Sequence, residues 1–152
     1  MTALELLQKA HFTRQFPSSV LAKLAALARV IEWNEQDLIF REGDVQQNLY
    51  VISSGHVALE MNLPGRGPSR ILTVRSGELL AWSALLGSGR MTTSAITLEP
   101  TTAVAISGDQ LQQLCQSDAE VGFHLMWQVA SALSQRLVAT RLQLLDLFAK
   151  PH

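Results

Sequence analysis

Across residues 38–106 the chain abandons a helical period for a strand-like one, and this change constrains its fold more than any other feature. Short runs at residues 38–40, 49–52, 57–61, 71–75, 92–98 and 102–106 alternate with turns carrying Glu42-Gly43-Asp44, Ser54-Gly55, Ser76-Gly77 and Glu99-Pro100. Short strands at regular spacing, closed by glycine turns, predict a sandwich or barrel. Residues 62–69, with Pro64, Gly65, Gly67 and Pro68, read as a mobile hairpin loop. Residues 77–86 read as one short helix carrying Leu79, Leu80, Trp82, Leu85 and Leu86, and Gly87-Ser88-Gly89 breaks it.

Both ends keep the helical period. Leu4, Leu7 and Phe12 mark a first short helix, and Pro17 with Ser18 or Ser19 supplies the start of a second. In that second helix Val20, Leu21, Leu24, Leu27, Ala28 and Ile31 recur at three- and four-residue spacing. After Asp109, Leu111 and Leu114 mark another helix. Val121, Leu125, Val129, Leu133, Leu137, Thr140, Leu144 and Leu147 then trace a stripe along a last, long one. Leu142, Leu145 and Phe148 widen that stripe beyond what one roll can cover, which predicts a two-fold homodimer through this helix. The expected organisation is one domain over residues 1–152: helices 1–35, strands 36–108 and C-terminal helices 109–149, with no DNA-binding domain.

Composition narrows the function. Twelve lysines and arginines against 13 aspartates and glutamates leave a net charge of −1, so no direct DNA binding is expected. Charged residues make up only 16% of the chain, which predicts apolar surface covered by a protein partner. Cys115 alone permits neither an intrachain disulfide nor a thiolate zinc cluster and predicts a cytoplasmic protein. No apolar run approaches the ~18 residues of a membrane span. His11, His56, His124 and His152 are scattered, so the inner-sphere cluster of a cupin-like metal enzyme is missing. The serines lack a nucleophile-elbow context, and a non-enzymatic protein is expected.

Three segments carry a resemblance. Ile39-Phe40-Arg41-Glu42-Gly43-Asp44, Leu49-Tyr50-Val51-Ile52-Ser53-Ser54-Gly55-His56-Val57 and Ser76-Gly77-Glu78 resemble strand and turn signatures of the cyclic-nucleotide-binding domain. That domain occurs in Crp/Fnr-type regulators and in regulatory subunits of cAMP-dependent kinases. The likeness extends over about residues 4–148. It implies a mainly β fold with flanking helices: a jelly-roll-like double-stranded β-helix of eight strands, N-terminal helices, a short inserted helix and a long C-terminal helix.

The family holds its ligand in a phosphate-binding cassette, F-G-E-x-A-L-L followed by an arginine. The glutamate accepts from the ribose hydroxyl and the arginine pairs with the cyclic phosphate, both as charge-assisted bonds. Aligned on Gly77, the cassette glycine becomes Ala81, the glutamate becomes Trp82, and the arginine position falls on Met91. The chain therefore resembles a stand-alone bacterial member with a degenerate cassette. Its candidate pocket comprises Ala81, Trp82, Ser83, Arg90, Met91, Thr92 and Thr93, with no cofactor required and a cyclic nucleotide or other small anion as the ligand it would admit. Trp82 reads either as a stacking surface or as filler of the ribose volume. Arg90, one residue early, reads either as a solvent-facing side chain or as a phosphate ligand working with Thr92, Thr93 and the N–H groups of the glycine loop. A second frame takes Gly77-Glu78 as the glycine–glutamate pair, with Arg90 as its arginine.

Overall fold

Alternation along a single strand shows how the layers are arranged. In β3 (Asn48–Ser54), residues Leu49 to Ile52 are all buried. Leu49 and Val51 join an apolar cluster beneath the helices, whereas Tyr50 and Ile52 join a second cluster inside a β-roll. Successive side chains of a strand point to opposite faces, so β3 separates two cores. The computed structural model describes residues 1–149, apart from the side chains of Leu147 and Phe148.

Eight strands form two antiparallel sheets. β1 (Ala28–Trp33), β8 (Thr101–Ser107), β3 and β6 (Leu79–Leu80) are neighbours in one; β2 (Leu38–Phe40), β7 (Ser94–Thr97), β4 (Val57–Leu63) and β5 (Gly67–Val74) are neighbours in the other. Phe40, Val57, Leu59, Val74 and Ala95 meet Tyr50, Ile52, Leu80 and Ala103 in the roll interior. The other face of the first sheet carries α1 (Ala3–Lys9), α2 (Ser18–Ala26), α4 (Gly108–Ser117) and α5 (Ala119–Ala149), anchored by Leu7, Val20, Leu24, Leu111, Val121 and Leu125. A capping box between Thr2 and Glu5 starts α1. The expected mainly β roll with flanking helices is what the chain forms. Among the described residues no helix is long and apolar enough to cross a membrane.

The glycine turns adopt the backbone anticipated for them. Gly55 has φ +100°, and a Cβ there would lie 2.8 Å from the Cα of Thr101. Gly77 has φ +87°, and its Cβ would lie 2.9 Å from the backbone N of His11.

Four local expectations are corrected. The helix anticipated through Ile31 stops at Ala26, and residues 28–33 pair with β8 from Ala28↔Ile106 to Trp33↔Thr101. The N-terminal helical region thus ends before residue 35, because a long ladder to a distant strand outweighs local apolar spacing. Residues 77–86 are not one helix: Leu79 and Leu80 are extended against Val51 and Tyr50, and only Ser83–Leu86 is helical, forming α3. An extended backbone lets Leu79 enter one core and Leu80 the other. Residues 62–69 belong largely to a paired hairpin, with Asn62↔Pro68 and Leu63↔Gly67 in register. Gly65 and Gly67, at φ +78° and +71°, close its tight turn.

The apolar stripe on α5 also divides. Val121, Leu125 and Val129 are buried, but Leu137 and Leu144 are each 53% exposed. At 31 residues and roughly 46 Å the helix outruns the roll that covers its first half. The anticipated contributions of Leu147 and Phe148 lie outside the described side chains.

Candidate ligand site

The cassette begins where β6 ends. Ala81 has φ +65°, a left-handed backbone that suits glycine and strains alanine. Its conformation matches the glycine that the Gly77 alignment placed there. Trp82 returns to the right-handed region and leads into α3, with Ala84 N–H donating to Ala81 C=O at 3.1 Å and Leu85 N–H to Trp82 C=O at 3.0 Å.

The glycine loop after α3 is tied inward. The N–H groups of Gly87 and Gly89 both donate to Ser83 C=O, and that of Arg90 donates to Ser88 Oγ. Met91 N–H donates to Asp44 C=O at 2.8 Å, while Met91 C=O accepts from Gly43 N–H at 2.8 Å. The free N–H cluster expected at this loop is therefore largely consumed by internal turns.

The candidate side chains separate into two groups. Met91 is 4% exposed and Ala81 7%, and both belong to the apolar interior of the roll. Ser83 lies beside them, its Oγ donating to Arg90 C=O at 3.4 Å and 3.9 Å from Met91 Sδ. Trp82 is half-buried and packs with the helix-side cluster. Arg90 is exposed, and its Nη1 donates to Gly43 C=O at 2.8 Å across the mouth of the β2–β3 turn. Thr92 is exposed and Thr93 half-buried.

A cavity of about 480 Å³ lies elsewhere, between β5 and α5. Arg70, Arg75, Arg136, Glu78 and His11 are the titratable residues of its lining, beside neutral polar groups such as Thr73 and Gln135. Arg136 donates to Leu79 C=O, next to the cassette. Burial pushes its guanidinium pKa down, opposed by the nearby Glu78 charge. Glu78 itself is exposed and caps its turn, accepting from the N–H of Arg75 at 2.7 Å. Sequence reasoning passed over this cleft. One signal was available: Arg136 stands between Leu133 and Thr140 on the stripe otherwise read as apolar.

The profile of the cyclic nucleotide-binding domain matches residues 30–118. The chain belongs to that family. It is 26% identical over 144 residues to the CRP-like cAMP-activated global transcriptional regulator of Mycobacterium tuberculosis, covering 94% of this chain and 62% of that protein. With the cyclic AMP receptor protein of Thermus thermophilus the identity is 30% over 106 residues, 70% of this chain and 47% of that protein. A solved cyclic nucleotide-binding domain from Methylobacillus flagellatus has the same fold, with a TM-score of 0.83 at 21% identity over 98% of this chain and 84% of that one. The chain thus spans less than two thirds of the length of either curated relative.

Similarity to a transcriptional regulator overturns the expectation of no direct DNA binding. That expectation rested on overall charge, which governs long-range attraction and says little about a regulator's partner. The Mycobacterium tuberculosis relative is a transcriptional regulator.

Proposed function

We propose that this domain is a non-enzymatic cytoplasmic regulatory module whose cassette is closed to cAMP in the family's usual manner, and that it signals through pairing of α5. The observation carrying this reading is the burial of Met91 and Ala81 within the roll, where a ligand's phosphate would need a cation. Trp82 offers no carboxylate for a ribose hydroxyl, and Arg90 is turned to Gly43. Loss of two charge-assisted hydrogen bonds, each contributing about 1.5–3 kcal/mol, corresponds to roughly two to four decades of affinity.

The outer face of α5 supports the pairing. Phe123, Trp127, Val138, Leu142 and Leu145 are 50–66% exposed and recur at helical spacing on the side away from Val121 and Leu125. Large apolar side chains exposed along one side of a helix mark an interface, and two-fold pairing lets one patch serve as its own complement.

A second reading keeps a cyclic nucleotide on Arg90, Thr92 and Thr93. The cAMP-activated relative favours it. Calorimetric titration with cAMP and cGMP separates the two. The closed cassette predicts no saturation at micromolar nucleotide; a micromolar isotherm abolished by Arg90→Ala establishes the second reading.

A further inference from the structure

The cleft between β5 and α5 gathers three arginines around one lining carboxylate. Arg70, Arg75 and Arg136 line it with Glu78 as the carboxylate among them. None of the three arginines forms an ion pair among the described residues. The Glu78 carboxylate accepts from the backbone N–H of Arg75 and offsets part of the Arg136 charge. Arg136 spends one guanidinium N–H on Leu79 C=O, and a guanidinium carries five donors. Arg136 is half-buried, so its charge is less well solvated than that of an exposed arginine and an anion arriving in the cleft is favoured more there.

A register shift assembles the cluster. β4 and β5 pair regularly from Val57↔Val74 to Leu59↔Leu72, but Glu60 then pairs with Arg70, leaving Ile71 as an extra residue. A strand without that bulge would place Arg70 on the face of Leu72 and Val74, toward the roll interior. With it, Arg70 shares the outward face of Thr73 and Arg75 and reaches the cleft. Ile71, Leu72 and Leu79 add apolar surface to the lining, and Gln128, Ser131 and Gln143 of α5 add neutral polar groups. A volume near 480 Å³ is that of a small-molecule site.

We propose that this cleft binds a small organic phosphate, its phosphoryl group held by Arg136, Arg75 and Arg70 and its body resting on the apolar lining. Three guanidinium groups outnumber Glu78 and the Glu60 that stands across from Arg70, which favours an anion, and their planar forks suit phosphoryl oxygens. The proposal rests on the reading of a regulatory module with a closed cassette, and it puts the ligand outside that cassette. Through the Arg136 contact to Leu79 C=O, occupancy would bear on both α5 and the strand leading to Ala81.

Phenyl phosphate is the probe, with phenol and inorganic phosphate as its two halves and cAMP titrated in parallel. Calorimetry of the whole chain is expected to show saturable binding of phenyl phosphate and none of phenol. The Arg70→Gln/Arg75→Gln double variant changes only exposed side chains and is expected to weaken phenyl phosphate at least about ten-fold, the effect of losing one charge-assisted bond. Arg136→Gln is expected to do the same, provided its thermal unfolding stays cooperative. Absence of saturation by phenyl phosphate at millimolar concentration, or unchanged affinity in the double variant, overturns the cleft proposal. Micromolar cAMP binding that survives the double variant but is lost in Arg90→Ala overturns the closed-cassette reading instead.

Discussion

Truncating Met91 distinguishes a filled roll from an open ligand chamber. The side chain is 4% exposed and shares the roll interior with Phe40, Tyr50, Ile52 and Ala81. Its backbone is held on both sides by the 2.8 Å bonds to Asp44 C=O and Gly43 N–H, so the surrounding structure has little room to collapse. Met→Ala at a buried site costs about 2–5 kcal/mol, and restricted relaxation places this one near 3 kcal/mol. For a chain of this length that lowers Tm by about 6–12 °C. Were the interior an open chamber, Met91 would give up few contacts and the loss would stay below about 1 kcal/mol. Arg90→Ala is the reference: it removes one exposed hydrogen bond and should cost no more than about 1.5 kcal/mol. Urea and thermal unfolding followed by circular dichroism read both variants. A Met91→Ala loss equal to or smaller than that of Arg90→Ala would refute the filled interior.

The wild type should scatter light as a dimer at micromolar concentration, and Val138→Glu, at a position 50% exposed on the outer face of α5, should be a folded monomer; a monomeric wild type counts against pairing. Gly55→Ala should lose about 2–5 kcal/mol in urea unfolding, since φ +100° and the approach to Thr101 penalise a Cβ together, and a neutral result would show that this turn is adjustable. Lys23 holds the Asp118 carboxyl below its ordinary pKa through a hydrogen bond. The sign follows: this stabilisation is present above the ordinary carboxylate pKa and fades as acid protonates the folded-state group. Lys23→Gln should therefore flatten the acid limb of stability against pH, with a small effect because the pair is exposed. Retention of the same acid limb would assign it to other groups.

Much of the roll was legible because its turns have narrow chemical requirements. Gly55 and Gly77 sit where positive φ and close backbone leave no room for a Cβ, so their spacing announced strand ends reliably. β1 was not legible: Ala28 and Ile31 continue the three- and four-residue spacing of α2, and only pairing with β8, about seventy positions away, makes them a strand. Leu79-Leu80 misled for a related reason, since two adjacent leucines suit a helix until each is required by a different core.

The candidate site divides along the same line. Ala81, Trp82 and Met91 could be placed by counting from Gly77, and the left-handed backbone at Ala81 agrees with that count. The inward bonding of the Gly87-Ser88-Gly89 loop depends on Ser83 C=O and on the N–H of Gln46, and could not be counted. Nor could the arginine cleft, because residues 70 and 75 have opposite strand parity until the bulge at Ile71 brings them to one face.

The central claim is that the roll interior beside the cassette is occupied by protein. The Met91 methyl resonance, observed by ¹³C-labelled NMR while cAMP is added to millimolar concentration, reads that interior directly. A filled interior predicts an unshifted signal throughout the titration. A saturable shift of the Met91 methyl at micromolar cAMP would contradict it.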